Sequence, residues 1–157
     1  MPTRSRAKGK ISPGLAGTAG EYLVAGELSR RGYIASITLR NARGIDILVS
    51  DENARRSVGI QVKTSQGEKP VWILSQKVES MDAAENLFFV LVVLNGLGAP
   101  AYHIVPRQEL VRTVSASHRR FLAEPGKRGQ ARADSSIRKF SDPDGRFRDR
   151  WDLLGLG

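Results

Sequence analysis

Cysteine is absent from the 157-residue sequence, and histidine occurs only twice, as His103 and His118. Without cysteine the chain can form no disulfide, Cys-ligated zinc site, iron–sulfur cluster or thiol nucleophile. Two histidines are too few for a His-rich zinc site. The longest apolar run, Leu87 to Leu94, is far shorter than the ~20 residues that span a bilayer. The basic N-terminus is followed by no apolar segment, so we expect no signal peptide and a soluble cytoplasmic protein.

Acidic residues are scarce beside basic ones: 16 Asp and Glu face 25 Lys and Arg, which gives a formal net charge of +9. Such a surplus favours an acidic partner, of which nucleic acid is the commonest. Charge runs also hydrate ordinary surfaces, but the basic clusters of this chain recur along its length and predict a surface that contacts phosphates. These clusters are Arg4–Lys10, Arg119–Arg120, Lys127–Arg128, Arg138–Lys139 and Arg146–Arg150.

The length suffices for one domain with a substantial core, and the composition divides the chain into three parts. Residues 1–11 are basic and nearly free of apolar side chains, so they predict a disordered arm that cannot bury enough surface to become ordered. Residues 12–123 alternate between helical and strand periodicity and form the predicted folded domain. Residues 124–157 are again basic, but their apolar end, Trp151–Leu156, predicts a tail that docks back on the domain.

The hydrophobic pattern predicts a mixed α/β fold. A first helix starts at Ser12-Pro13 and ends near Arg31, because Gly32 suits the left-handed position after a helix. The pattern predicts a turn at 41–44, further helices at 76–85 and 107–122, and strands at 33–39, 44–49, 57–64, 71–74, 87–94 and 101–105. The order of helices and strands predicts a central sheet covered by helices.

Three polar residues interrupt the second and third predicted strands. If the hairpin between these strands is symmetric about Asn53-Ala54, Asp46 lies opposite Gln61, and Lys63 is its diagonal neighbour. Because alternate residues of a strand share a face, the three side chains would then gather on one side of the sheet. A slip of one residue would separate them.

This trio suits metal-assisted phosphate chemistry. The Asp46 carboxylate, the Gln61 amide oxygen and the backbone carbonyl of Val62 are hard oxygen ligands of the kind that Mg²⁺ prefers. A divalent ion held there would polarise a phosphoryl oxygen and acidify a bound water. The Lys63 ammonium could orient that water and stabilise the charge that develops on the phosphate.

Together with Glu21 on the first helix, Asp46 and the run Gln61-Val62-Lys63 resemble the PD-(D/E)XK nuclease superfamily. By its motifs the resemblance covers residues 17–65. It is nearest to small members such as archaeal-type Holliday-junction resolvases and to Mrr-type restriction endonucleases, in which Gln-x-Lys replaces Glu-x-Lys. The resemblance implies a restriction-endonuclease-like α-β-β-β-α-β core and Mg²⁺- or Mn²⁺-dependent hydrolysis of phosphodiester bonds in DNA.

The resemblance also implies a role for each residue. Asp46 and Gln61 become metal ligands, Lys63 the catalytic lysine, and Glu21 the acid that completes the metal site. Because members often act as dimers on two strands, a homodimer is compatible with the resemblance. Two departures stand out: Gly44-Ile45 replaces the proline that precedes the aspartate, and Gln61 removes one negative charge from a site for a dication.

Each of these residues also has a structural interpretation. Asp46 could mark a strand edge or bind a turn, and Gln61 and Lys63 could form the hydrated face of a half-exposed strand. Thr18 and Glu21 have the spacing of a capping box. His103 and His118 fit a structural histidine and a helix-surface residue. Three functions therefore stay open: a metal-dependent nuclease, a nucleic-acid-binding module with a weakened metal site, and an interaction protein with neither activity.

Overall fold

The computed structural model describes residues 9–39, 44–80 and 84–157. Most of the predicted arm (1–8), of the turn at 41–44, and residues 81–83 of the helix predicted at 76–85 lie outside these ranges. The elements are α1 (Pro13–Arg30), β1 (Ile34–Ile37), β2 (Ile47–Ser50), β3 (Ser57–Ser65), β4 (Trp72–Ser75), α2 (Lys77–Ser80), β5 (Leu87–Val93), β6 (Ala101–Pro106), α3 (Arg107–Ala123), β7 (Ile137–Phe140) and a 3₁₀ turn (Trp151–Leu154).

Helix α1 begins and ends where the sequence predicts. The Ser12 side chain accepts a hydrogen bond from the Leu15 N–H, which caps the helix ahead of Pro13. Gly32 follows the helix with a φ of +89°. The proposed capping box of Thr18 and Glu21 is wrong, because Thr18 lies inside the helix and its hydroxyl donates to the Gly14 carbonyl.

The central sheet has five strands in the order β1-β2-β3-β5-β6. Strands β3 and β5 are parallel, whereas the other neighbouring pairs are antiparallel. The predicted fold class, a mixed sheet flanked by helices, is therefore confirmed. A parallel pair needs a crossover between its strands, and the chain from β4 through α2 provides it.

The β2–β3 hairpin has the predicted register: Ile47 pairs with Ile60, and Ser50 with Ser57. A turn organised by Asp51 holds this register. The Asp51 carboxylate accepts hydrogen bonds from the backbone N–H groups of Arg55 and Arg56, at 2.8 and 3.1 Å. Side-chain acceptors of this kind fix the path of a loop, so the loop sets which residues of β2 and β3 share a face.

The sheet is covered on both faces. Helix α1 and the C-terminal 3₁₀ turn pack on one face, where the buried residues include Ile47, Val49, Val58, Ile60, Val62, Val90, Val92 and Ile104. Helix α3 and a second, two-stranded sheet cover the β5–β6 part of the other face, where Trp72, Leu74, Phe89, Leu91, Val105, Leu110, Val114, Phe140 and Phe147 are buried. Within the described ranges no helix is both long and apolar enough to cross a bilayer.

The second sheet pairs β4 with β7, with Trp72 opposite Phe140. No strand is predicted at 137–140, where Ile-Arg-Lys-Phe gives only a weak alternation inside a basic segment. Arg138 is buried there because its guanidinium binds both carboxylate oxygens of Glu79, at 2.9 and 3.2 Å. Further along, Trp151, Leu154 and Leu156 are buried in the core under α1. Residues 124–157 thus contribute a strand and part of the core.

Candidate active site

Strand β3 has two differently paired halves. Residues 57–60, the closed half, pair with β2 on one side and, over residues 59–60, with β5 on the other. Within the described ranges, residues 61–65, the open half, pair with β5 alone, because β2 begins only at Ile47. The side of the open half that would face β2 is therefore available for groups other than a strand backbone.

Asp46 occupies this opening. Its backbone N–H donates to the Ile60 carbonyl at 2.8 Å, and its carboxylate Oδ2 accepts a hydrogen bond from the Val62 N–H at 2.7 Å. The Thr38 hydroxyl donates to the Ile45 carbonyl at 2.6 Å and supports the backbone just before Asp46. The carboxylate thus takes the place of a strand partner and lies against the peptide between Gln61 and Lys63.

The Val62 carbonyl lies in the same opening. In a strand the N–H and C=O of one residue point to the same neighbour, so the Val62 carbonyl faces the side on which Asp46 binds its N–H. The backbone N–H and C=O groups of the odd-numbered residues of β3 point towards β5 instead. The Gly59 N–H, for example, donates to the Asn86 carbonyl just before β5. One carboxylate and one backbone carbonyl therefore share the gap beside the open half.

Gln61 and Lys63 flank Val62 in sequence. The Val62 side chain packs in the core under α1, and the side chains of Gln61 and Lys63 project from the opposite face of β3. Both side chains are partly buried. Within the described ranges, the structure gives neither side chain a hydrogen bond or ion pair, and it gives none to Asp46 Oδ1. Gln61 lines a small pocket whose other walls are Gly44, Leu87, Phe88, Phe89 and Arg107.

Helix α1 packs against the open half at Gly20, the residue before Glu21. A Cβ at Gly20 would overlap the Thr64 hydroxyl and lie 3.5 Å from Val62 Cγ1, so only glycine permits this approach of α1 to the open half. Glu21 is the next residue. Within the described ranges no three acidic or histidine side chains gather as a metal cluster. The structure therefore brings together Asp46, Gln61, Val62 and Lys63, and the metal role of Glu21 stays a prediction.

The other candidates have structural surroundings. His103 is buried against Trp72, and its Nδ1 lies 2.7 Å from Asp142 Oδ2. His118 Nε2 lies 2.7 Å from Asp134 Oδ1, and the Asp134 pKa is lowered chiefly by this hydrogen bond. Both contacts agree with the structural interpretation of these histidines.

Sequence reasoning missed Arg107, and it interpreted Gln66, together with Thr64 and Ser65, as a turn residue, with a phosphate contact as the alternative. Arg107, the first residue of α3, shares the pocket of Gln61 and donates to the Val78 carbonyl at 2.8 Å. Gln66, just after β3, binds the backbone of Ile11. Neither belongs to a local motif. Only the tertiary structure could have indicated their contacts: the β3-β5-β6 pairing brings Arg107 near Gln61, and the packing of α1 on β3 brings Ile11 near Gln66.

The geometry agrees with comparisons to known proteins. The family model Mrr_cat, described as a restriction endonuclease, matches residues 15–118. This match covers about two thirds of the 157 residues and includes Glu21, Asp46, Gln61 and Lys63. The fold and the site thus define a nuclease-type domain. The chain belongs to the Mrr_cat restriction endonuclease family, and the predicted resemblance to PD-(D/E)XK nucleases is confirmed.

Two solved structures share the fold. Hjc, a Holliday junction resolvase from the archaeal hyperthermophile Archaeoglobus fulgidus, is 19% identical with a TM-score of 0.53, over 90% of this chain and 97% of that one. The bacterial homing endonuclease I-Ssp6803I is 13% identical with a TM-score of 0.55, over 92% of both chains. At these identities the likeness concerns the fold alone. No curated protein matches the sequence.

Proposed function

We propose that this protein is a divalent-metal-dependent endonuclease that hydrolyses phosphodiester bonds in DNA, with Mg²⁺ or Mn²⁺ as its cofactor. The observation that carries the proposal is the hydrogen bond between the Asp46 carboxylate and the Val62 N–H. It fixes a carboxylate against the peptide that joins Gln61 to Lys63, inside the segment that matches the restriction endonuclease family. Strand β3 holds Gln61, Val62 and Lys63, and backbone hydrogen bonds hold Asp46 just before β2, so rigid elements position the four groups, as catalysis requires.

The donor atoms suit a hard dication. Asp46 Oδ1, the Gln61 amide oxygen and the Val62 carbonyl are oxygen ligands, and the first two form no other hydrogen bond within the described ranges. A bound ion would supply Lewis-acid activation of a phosphoryl oxygen and of a water. These donors provide a single negative charge, so Glu21, beside the open half on α1, is the residue proposed to supply a second.

Lys63 is the residue proposed to act on the reacting groups. Its ammonium lies two residues after Gln61 on the same face of β3, and no carboxylate within the described ranges neutralises it. A cation at this position orients the attacking water and stabilises the negative charge that grows on the phosphate in the transition state. Partial burial strengthens both effects because less water screens the charge.

Basic side chains supply the contacts proposed for DNA. Arg119 and Arg120 are exposed on the last part of α3, and Lys127 and Arg128 are exposed in the loop that follows. Gln130 orders this loop, because its side chain accepts from the Arg128 N–H and its carbonyl accepts from the Gly126 N–H. An ordered loop presents its cations to phosphates at a lower cost in conformational entropy than a flexible one.

A second candidate function is a DNA-binding module with little or no catalytic activity. Gln61 is the observation that favours it, because an amide in place of a carboxylate leaves Asp46 as the only acid among the described residues that a hydrogen bond fixes in the opening of β3. The two candidates differ in what Lys63 does, since binding alone does not need a cation beside the metal ligands.

Cleavage of a supercoiled plasmid in Mg²⁺ or Mn²⁺ separates the candidates. We expect the wild type to nick the plasmid, and Asp46→Ala and Lys63→Ala to lose this activity while they retain DNA binding. Equal cleavage by all three proteins would identify a contaminating nuclease. Binding with a steep salt dependence, but without cleavage under either metal, would favour the binding module.

Two further parts of the proposal concern the setting of this activity. A homodimer would bring two sites to two DNA strands, and sedimentation equilibrium with and without DNA tests it. We also propose a cytoplasmic location, and fractionation of cells that produce the protein tests it.

A further inference from the structure

The chain reverses direction in a tight turn soon after α3. The Gly126 N–H donates to the Gln130 carbonyl at 2.8 Å, and the Gln130 side chain accepts from the Arg128 N–H at 2.9 Å. A Cβ at Gly126 would lie 2.6 Å from this side chain and displace it, so the turn favours glycine there. Lys127 and Arg128, in the middle of the turn, are exposed. We call residues 126–130 the basic turn.

The segment that follows, residues 131–135, is held by side chains. In the described part of the chain it forms no backbone–backbone hydrogen bond. Arg132 instead contacts the end of α3: its Nη1 donates to the Phe121 carbonyl at 3.2 Å, and its Cζ lies 4.4 Å from the centre of the Phe121 ring. This carbonyl lacks its helical partner because Pro125 has no N–H. Arg132 therefore supplies the donor that the helix end lacks.

A second contact lies one turn back along α3. His118 Nε2 lies 2.7 Å from Asp134 Oδ1, and the His118 ring stacks against Phe121 with 6.1 Å between the ring centres. Arg132, Phe121, His118 and Asp134 thus form a continuous row that joins the returning segment to the helix. We call these four residues the clamp. The Asp134 side chain stays 68% exposed, so burial is not what holds it there.

Four exposed cations flank the clamp, and within the described ranges none of them forms an ion pair. They are Arg119, Arg120, Lys127 and Arg128. The acids of this region contact the clamp instead: Glu124 lies 3.9 Å from Arg132, and Asp134 is itself a clamp residue. No exposed residue of α3 is acidic. The end of α3 and the basic turn therefore form one surface of positive charge.

This surface is remote from the candidate active site. Arg107, at the start of α3, lines the pocket of Gln61, whereas the clamp lies at the other end of the helix. The 17 residues of α3 span about 25 Å. At about 3.4 Å of rise per base pair, this length corresponds to roughly seven base pairs of duplex. Contacts at this surface therefore add to the affinity for DNA and not to the chemistry at the cleaved bond.

We propose that the clamp is a positioning device, which fixes the basic turn against α3 so that the turn, with Arg119 and Arg120, binds phosphates of duplex DNA away from the scissile bond. The inference rests on the proposed function for its ligand, DNA. It adds how these cations are held and where they act. Fixed cations bind phosphates without the entropy loss that a mobile turn would suffer. Such contacts position the duplex without reading its sequence.

Two substitutions in the clamp separate position from charge. Asp134→Ala removes an acid from a cationic surface, so charge alone would tighten DNA binding. Arg132→Lys keeps the charge but loses the planar group that lies over Phe121, so charge alone would leave binding unchanged. If the clamp positions the turn, both variants should bind a labelled duplex more weakly, by about threefold or more. Fluorescence anisotropy in EDTA over a range of salt measures the binding.

The basic turn itself supplies the matching cycle. Lys127→Gln combined with Arg128→Gln removes two phosphate contacts and should lower the slope of log K against log [salt] by up to about 1.8. The matched control, Arg30→Gln combined with Arg55→Gln, removes two exposed cations at the end of α1 and between β2 and β3, and should change the slope little. In the turn variant, neither clamp substitution should weaken binding further.

Several outcomes would overturn the proposal: undiminished binding by either clamp variant, a weakening that persists in the turn variant, or an equal loss of slope in the control. Thermal unfolding verifies that each variant is folded at the assay temperature. Because binding is measured without metal, failure of the nuclease proposal alone would leave these results as expected. A wild-type protein that binds no DNA would overturn both proposals. In cleavage assays the clamp variants should raise KM and leave kcat unchanged, and a lower kcat would contradict the remote position.

Discussion

The two halves of β3 belong to one strand but have different roles. In the closed half, Val58, Gly59 and Ile60 are all buried, and a Cβ at Gly59 would lie 2.7 Å from Leu87 Cδ2. In the open half, Gln61 and Lys63 are partly exposed, and a side-chain carboxylate replaces the missing strand partner. The comparison teaches that folding stability and candidate chemistry are separated along the strand by the point at which β2 begins.

The largest effect should come from the open half. Lys63→Ala is expected to lower the rate of plasmid cleavage by about a thousandfold or more, which corresponds to roughly 4 kcal/mol of transition-state stabilisation. Its melting temperature should change little, because Lys63 makes no ion pair within the described ranges. Lys69→Ala, a change of an exposed lysine beyond β3, is the matched control and should cleave normally. Normal cleavage by Lys63→Ala would refute the assigned role.

The closed half should show the reverse pattern. Ile60 is completely buried under α1, so Ile60→Ala is expected to cost about 2–5 kcal/mol of unfolding free energy. Denaturant unfolding measures this loss. Cleavage per folded molecule, assayed at a temperature where the variant is still folded, should stay near that of the wild type. A variant that is fully stable but inactive would contradict the separation of the two halves.

Asp46 forms hydrogen bonds with both halves of β3, to Ile60 and from Val62. Two substitutions separate its role in folding from its proposed role in cleavage. Asp46→Ala leaves the Val62 N–H without its acceptor and should cost about 1–3 kcal/mol of stability. Asp46→Asn keeps an oxygen acceptor and should cost less, although both variants should lose cleavage because the proposed metal ligand loses its charge. Equal stabilities for the two variants, measured by denaturant unfolding, would show that the hydrogen bond adds nothing to the fold.

Gln61→Glu sharpens the comparison by adding charge to the open half. A second carboxylate beside Asp46 should strengthen binding of Mn²⁺ about tenfold, which is a change of roughly 1.4 kcal/mol. Titration calorimetry with Mn²⁺ measures it, and Gln61→Leu is the control that should weaken binding. If the charge makes no difference, Gln61 does not face the metal.

The smallest expected effect concerns the ion pair of Glu79 with Arg138, which lies outside both halves of β3. The hydrogen bonds from Arg138 hold the pKa of Glu79 below its ordinary value of 4.5. A lowered pKa means that this pair stabilises the fold above the unfolded pKa and loses its effect as the pH falls through the folded one. Glu79→Gln should therefore flatten the loss of stability below about pH 4.5. Unfolding curves between about pH 3 and 6 test this prediction. The substitution should not change the difference between the two halves of β3.

Much of the site could be predicted from the sequence because it depends on local rules. The period of two in β2 and β3, and the symmetric loop between them, placed Asp46 opposite Gln61, and the structure has that register. The contact of the carboxylate with Val62 could not be predicted, since it depends on where β2 begins. The contact between Gln66 and Ile11 was missed for a similar reason: a contact across fifty-five positions leaves no local pattern.

The fold was predicted less evenly. Strand β7 was not predicted because its pairing with β4 is nonlocal. It also contains Arg138, a charged residue that occupies a buried position because it binds Glu79. The capping box failed because Ser12 and Pro13 start α1 upstream of Thr18, and either start fits the local pattern. A tertiary partner, rather than propensity, decided the case of β7, whereas a local cap decided the start of α1.

The turn held by Asp51 has a consequence for how this family can vary. Its hydrogen bonds to Arg55 and Arg56 fix the number of residues between β2 and β3, whereas the side chains at 52–54 make no demand on the sheet. Ala54 has a left-handed φ of +56°, so in related chains we expect glycine or asparagine to be favoured at this position. A slip of one residue in the pairing of β2 with β3 would separate Asp46 from the Val62 N–H, so we expect selection against loop changes that cause it.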